Sequence, residues 1–405
     1  MASPETLSIP VKTQLAVYGC GMFANSMSIL GGIIVPLWVA TFETSPILIG
    51  LVFGARHFLP LILSIHGGAL MDRLGTRRVM LIFAVINAVV PILFPTMPHI
   101  WAAIFLQMLA GLATSMGWMG AQTLIGQIMK GSAVHAGRLS FSLRFGHLIG
   151  PPAIGFVWDL GGPWAAFAAM SVWGSFGFLS AVALPRPMHS SNYSEKVTLS
   201  SLIPRLSDYV AAFRMLAISA VFLVAMATML RNAGNVVQTG FYVVYLDEIV
   251  GLSGTLIGVL TSAAAIAGAV GSLSVGYLVR VFSAHWLMLV TIAGSVILVC
   301  ITPLLGIFLF LLVASAMRGA TLGISQPLMI SILAKASDSS VQGTSVGLRN
   351  TANRLAGVIV PPLMGLLIDL FGLANGFYAI GLIVVFMLIA TGFWLRQQSD
   401  ITNVN

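Results

Sequence analysis

Charge is the scarcest property of this sequence. Asp, Glu, Lys and Arg together make up 7% of 405 residues, against about a quarter in a soluble domain. With 58% hydrophobic residues and a mean hydropathy of +1.00, a soluble chain would expose apolar patches and aggregate. The composition implies an integral membrane protein, and the long apolar runs imply helices rather than a barrel. Cysteine is nearly absent. Cys20 and Cys300 both lie in apolar runs, which excludes a disulfide framework and a cysteine metal site. Also missing are the phosphate-binding GxxxxGK[ST] loop, a serine elbow and a His/Glu/Asp metal cluster. The chain is therefore expected to be no enzyme and no ATP-driven pump, with no cofactor and no metal. The net charge of +8 raises nucleic acid as a partner, but Lys and Arg never run beyond two in succession, and their placement has another cause. No charged stretch leads into a short apolar core with a cleavage site, so the first span itself is expected to act as the insertion signal.

What the sequence does contain is a series of apolar runs of about 20 residues or more. Twelve are delimited: 13–40, 46–70, 78–97, 100–129, 134–159, 163–184, 211–246, 252–279, 284–303, 305–334, 341–369 and 373–395. One substantial polar stretch, PRPMHSSNYSEKVTLSSLIPRLSDYV at 185–210, divides them six and six. The expected fold is an all-α integral membrane protein with twelve transmembrane helices in two pseudo-symmetric six-helix bundles. An N-terminal bundle (1–184) and a C-terminal bundle (211–405) flank a cytoplasmic linker (185–210). With the N-terminus in the cytoplasm, thirteen of the nineteen basic residues fall at inner ends or loops and none in outer loops, a positive-inside pattern. The expected setting is a multi-pass monomer in a bacterial cytoplasmic (inner) membrane, with both termini cytoplasmic.

The halves repeat. RFGHLIGPPAIGFVWDLGG at 144–162 aligns without gaps to RLAGVIVPPLMGLLIDLFG at 354–372, an offset of 210. GGALMDRLGTRRVML at 67–81 aligns to VGYLVRVFSAHWLML at 275–289, an offset of 208. Two nearly equal offsets in separate places indicate two parallel repeats, a plan that secondary transporters use with the site between the halves.

Within GGALMDRLGTRRVM, the residues Gly68, Leu70, Asp72, Arg73, Gly75, Arg77 and Arg78 fit the signature G-x-L-x-D-R-x-G-R-R between helices 2 and 3 of the major facilitator superfamily, which the whole chain resembles. The resemblance implies transport by rocking alternating access. It assigns the inner gate to this loop, with Asp72 latching near the start of helix 11, where a helix N-terminus favours a carboxylate by about 0.3–1 kcal/mol. Gly146, Gly150, Pro151 and Gly155 partly fit the G-x-x-x-G-P-x-x-G-G signature of the exporter-type branch, with Ile154 in place of a glycine, which favours export. Gly150 and Pro151 are gating candidates and are expected to bend the fifth span. The branch's helix 4 arginine is replaced by Gln107, so its usual proton relay does not carry over.

Six arginines remain inside spans: Arg56, Arg144, Arg231, Arg318, Arg349 and Arg354. Arg144 lies about ten residues from its helix start, about 15 Å deep in a core of about 30 Å. Facing lipid, each would cost about 2.5–3.5 kcal/mol. All eleven carboxylates fall at span ends or in loops, so these arginines lack an anionic partner at mid-depth. Guanidinium groups fork onto carboxylate or phosphate, and the expected cargo is a small organic anion. Arg231, Arg318, Arg144, Arg354, Arg56, Asn232, Asn235, Gln122 and Gln326 are the candidate binding residues. Each has a packing alternative, and Arg144 and Arg354 are either two jaws of one site or paired packing elements. Arg349 reads as an inner-gate residue. His57, His66 and His147 are the titratable groups left for proton coupling, with His57 and His147 foremost. Alternatives are a proton-coupled multidrug exporter, a flippase for an anionic lipid, and a transporter-like receptor.

Overall fold

In the absence of water a backbone must bond to itself, and a helix does so within one segment. The structure, a computed structural model, describes residues 9–130, 132–185, 214–336 and 342–398; the side chains at 64–69, 72, 73, 133, 215, 334–336 and 342–346 lie outside the description. The helices are α1 (Val11–Ala40), α2 (Pro46–Leu74), α3 (Thr76–Thr96), α4 (Ile100–Gln127), α5 (Ala133–Val182), α6 (Ser219–Gln238), α7 (Phe241–Glu248), α8 (Gly254–Leu278), α9 (Ala284–Cys300), α10 (Phe308–Ala336), α11 (Gln342–Phe371) and α12 (Leu373–Arg396). Among the described residues, ten stretches are long and apolar enough to cross a membrane. One of them, Val134–Val182, holds two spans, and the shorter apolar helix Ala284–Cys300 completes the twelve expected.

Two boundaries differ from the sequence reading. Spans five and six have no loop between them. Gly162 adopts φ 64°, a left-handed conformation that glycine takes without a Cβ penalty, and Pro163 starts the next helix with its φ already fixed. Pro151–Pro152 leave α5 helical, so the break falls at Gly162 rather than at the prolines. The seventh span starts at Ser219, after a short turn at Met215–Ala217, and is interrupted at Gly240 between α6 and α7. The linker expected at 185–210 lies outside the described residues beyond Leu184 and Pro185.

Helices α1 to α5 pack among themselves, as do α6 to α12, and the halves meet chiefly along two seams, α2 with α11 and α5 with α8. The end bearing most basic residues is termed inner here. In the outer part the seams are backbone against backbone. A Cβ on Gly50 would run into the carbonyl of Pro361, and a Cβ on Gly258 into that of Pro151. Gly258 follows Gly50 by 208 positions, and Pro361 follows Pro151 by 210, so the two sequence offsets recur as contacts. Each seam ends in a carboxylate. Asp159 accepts from the N–H groups of Gly254 at 2.7 Å and Thr255 at 2.9 Å, and from the Thr255 hydroxyl at 2.5 Å. Asp369, its counterpart, accepts from the N–H of Ile47 at 3.2 Å. Both caps answer first-turn N–H groups that a helix leaves unpaired, at its positive end. Each half therefore caps a helix of the other.

At the inner end the described bonds stay within one half. Arg77 donates to the Leu184 carbonyl at 3.0 Å and the Val182 carbonyl at 3.1 Å, satisfying acceptors at the end of α5. Thr76 donates to Gln127 at 2.9 Å, and Arg138 to Gln14 at 3.1 Å. Among the described residues, every side-chain bond between the halves lies in the outer part or at mid-depth. The described contacts close the outer side.

Closure depends on the bare glycine seams. Gly50→Leu is expected to wedge α2 from α11 and lower the melting temperature, since overpacking costs about 1–3 kcal/mol. Gly126→Leu, in open space, should leave it unchanged; equal melting of both variants would contradict the seam. Asp159→Asn and Asp369→Asn keep an acceptor but lose the charge, a loss of about 0.3–1 kcal/mol each. Spin labels at the exposed Thr41 and Ile249 should then show a larger share of long distances, largest in the double variant. A distribution identical to that of the parent would refute the caps.

Candidate functional site

The pseudo-symmetry that builds the outer seams fails at mid-depth, and the arginines gather where it fails. The α2–α11 seam carries Arg56, His57 and Arg354. By the same offsets the α8–α5 seam carries Ala264, Ala265 and Arg144. The backbone frame is still shared, since a Cβ on Gly111 would meet the Arg56 backbone and one on Gly319 the Ala264 backbone. The difference lies in the side chains.

Arg56 points from α2 toward α1 and donates to Ser28, at 3.1 Å to its carbonyl and 2.8 Å to its hydroxyl. Arg354 reaches from α11 into the opposite half. It donates to the Ser115 hydroxyl at 2.7 Å and makes a weak 3.5 Å contact with Nδ1 of His57. The His57 ring is seated against the backbone at Gly357, where a Cβ would overlap it. Arg56, His57 and Arg354 are near enough for their charges to act on one another. A cavity no larger than about one water molecule lies beside them, between the halves, bordered by Arg56, His57, Gln107, Thr239 and Pro361.

A second group belongs to the C-terminal half. Arg231 donates to Ser325 Oγ at 3.1 Å and to the Leu322 carbonyl at 3.4 Å. Arg318 is 3% exposed, bonds the Gln238 side chain and donates to the Gly234 carbonyl at 3.2 Å. Its Nε, like that of Arg349, is buried with no hydrogen-bond partner. Arg231 stands within electrostatic reach of both Arg318 and Arg349. Beside Arg318, Tyr242 and Ser315 share a hydrogen bond at 3.0 Å. Asn232 is buried and donates to the Asn353 carbonyl at 2.6 Å, while the Asn235 side chain is half-buried.

The remaining candidates lie apart. Arg144 is exposed on α5, one turn inward of His147, whose Nε2 meets Asn25 Oδ1 at 2.7 Å. Arg144 and Arg354 thus occupy different seams. Gln122 and Gln326 are exposed. Gly150 packs beneath Leu30 on α1, and Pro151 meets Gly258. Arg78 is exposed. The side chains of Asp72, Arg73 and His66 fall outside the described ones. The sequence reading passed over Ser28 and Ser115, which receive the two cross-packed arginines. A single serine in an apolar helix carries no signal of the partner opposite it. Every described hydrogen bond of Arg56, Arg231, Arg318 and Arg354 ends on a neutral group.

Comparison with known proteins agrees with this architecture. The chain is similar in fold to a point mutant of the nucleoside transporter NupG, at 13% identity and a TM-score of 0.75, over 94% of this chain and 99% of that one. It is similar to a bacterial homolog of the human lysosomal transporter Spinster, inward-facing and unoccupied, at 15% identity and TM-score 0.68, over 94% and 95% of the two chains. A POT family transporter in complex with 5-aminolevulinic acid matches at 14% identity and TM-score 0.70, over 96% of each. No curated protein matches the sequence. The sequence profile of the Major Facilitator Superfamily matches residues 16–233 and 224–403, nearly the full length, and the chain belongs to that family.

Proposed function

We propose that this protein carries a small organic anion, of carboxylate or phosphate type, by alternating access through the space between its halves. The observation that carries the reading is the set of mid-depth arginines whose described bonds all end on serine, glutamine, histidine or backbone carbonyls. A cation withdrawn from water and left without a countercharge is costly, and an anionic cargo supplies that charge at each cycle. Arg56, Arg231, Arg318 and Arg354 are the residues proposed to act on it, with Asn232 and Asn235 alongside. The closed outer seams fit a carrier resting open to the inner side, where a cargo for export would enter, and the partial exporter signature at Gly146, Gly150, Pro151 and Gly155 points the same way. Coupling through the cargo itself, by exchange or with a proton on the anion, fits spans without a mid-depth carboxylate.

The test is flux of labelled carboxylates and phosphate esters in proteoliposomes, with Arg56, Arg231, Arg318 and Arg354 each replaced by alanine. At least one anion should lose most of its flux, about tenfold or more, corresponding to roughly 1.4 kcal/mol, in variants that still purify as folded protein. If every anion moved by the parent is moved equally by all four variants, or if the parent moves only cations and neutral solutes, the reading fails.

A further inference from the structure

The two arginine groups differ in one respect that matters for a carrier. Arg231, Arg318 and Arg349 all stand on helices of the C-terminal half, on α6, α10 and α11, and move together. Arg56 and Arg354 stand on opposite halves. Arg354 crosses the seam to Ser115 and His57, and Arg56 lies next to His57. Two like charges therefore stand within electrostatic reach of each other at the joint that must open and close, Arg56 turned to Ser28 and Arg354 to Ser115.

The donors at this point are not used up. A guanidinium carries five N–H groups; the bonds described use two on Arg56 and two on Arg354. The acceptors they have are neutral. The adjoining cavity touches helices of both halves, through Arg56, His57 and Gln107 on one side and Thr239 and Pro361 on the other. It has room for about one water molecule, and Arg354 reaches it only through His57; a halide or the charged end of a larger anion, each wider than a water, enters only as these side chains draw apart.

We propose, resting on the anion-carrier reading, that Arg56 and Arg354 form the seat for the anionic group, with His57 and Gln107 at its edge. Occupied, the seat ties α2 to α11 through a shared countercharge. Empty, it leaves two guanidiniums opposed across the seam. The charged end of the cargo thus acts on the joint itself, whereas the C-terminal group contacts cargo from one side only. Ala264 and Ala265 stand where Arg56 and His57 would be on the other seam and leave Arg144 without such partners, so there is one seat and not two.

The experiment uses the purified full chain and melting temperature against sodium chloride, sodium acetate and inorganic phosphate, each titrated at fixed ionic strength with sodium isethionate as balance. A saturable rise with at least one of the three is expected. Its half-saturating concentration should increase tenfold or more in Arg56→Gln and in Arg354→Gln. Arg138→Gln, which removes an exposed inner cation, should keep the parent response. Because either glutamine variant could fold poorly, Arg354→Lys is measured as well; it keeps the charge but not the fork, and should retain a weakened response. A response to chloride alone assigns the seat to a halide, and a response to acetate or phosphate assigns it to the end of the cargo. No saturable response in the parent, or an unaltered response in both glutamine variants, overturns the seat. Flux of organic anions that persists alongside such a failure would leave the carrier reading standing and move the binding to Arg231 and Arg318. A chloride response in a protein that moves no organic anion would do the reverse.

Discussion

A cation inside a bilayer has to be answered by something within the protein, and the rest of this molecule follows from how that demand is met. Facing lipid, each in-span arginine would carry a cost of about 2.5–3.5 kcal/mol; Arg56, Arg231, Arg318 and Arg354 turn toward neighbouring side chains and carbonyls, while Arg144 stays exposed on α5. Among the described residues, Lys12, Arg77, Arg78, Lys130, Arg280 and Arg396 stand at helix ends or in loops, as do Glu43, Asp247, Glu248 and Asp369. Where a carboxylate is placed with care, at Asp159 and Asp369, it faces helix N-termini rather than arginines. The molecule keeps its negative charges for closing the outer end and leaves its mid-depth positive charges unneutralised.

The depth of each residue was legible in the sequence, but its direction was not. The sequence put Arg56, Arg318 and Arg354 well inside spans, and they stand within α2, α10 and α11. Hydropathy says nothing about which neighbour a buried side chain meets, so Arg144 and Arg354, matched at offset 210, read as two jaws. They lie on different seams because α2 offers Arg56 and His57 where α8 offers Ala264 and Ala265. The repeat was legible, and its reach was greater than the aligned stretches. Gly50 with Pro361 and Gly258 with Pro151 carry the offsets beyond the aligned stretches, to the LIG triplets at 48–50 and 256–258. The break between spans five and six was visible as a gap of a few residues around Gly162. Its tightness was not, because it depends on one left-handed glycine followed by Pro163. Gln238, Thr239 and Gly240 mark the interruption of the seventh span, but the sequence reading ran the span through them.

Fold and site also divide along the symmetry. Residues that obey the two offsets make the seams and caps, which any rocking pair of bundles requires. Residues that depart from them, Arg56 and His57 against Ala264 and Ala265, and Arg318 against Ala110, give the inside of the molecule a single chemical character. Serines at 28, 115 and 325 hold the arginines in place without cancelling their charge.

The reciprocal caps have a consequence for turnover. A hydrogen-bonded carboxylate at a helix end is a shallow well, of the order of the thermal energy to a few times that. Two such wells, one contributed by each bundle, add a shallow, charge-dependent part to the closure that the glycine seams make, and both are lost and regained as the carrier passes between its two states. A solute whose affinity differs only modestly between the two states can then redistribute them.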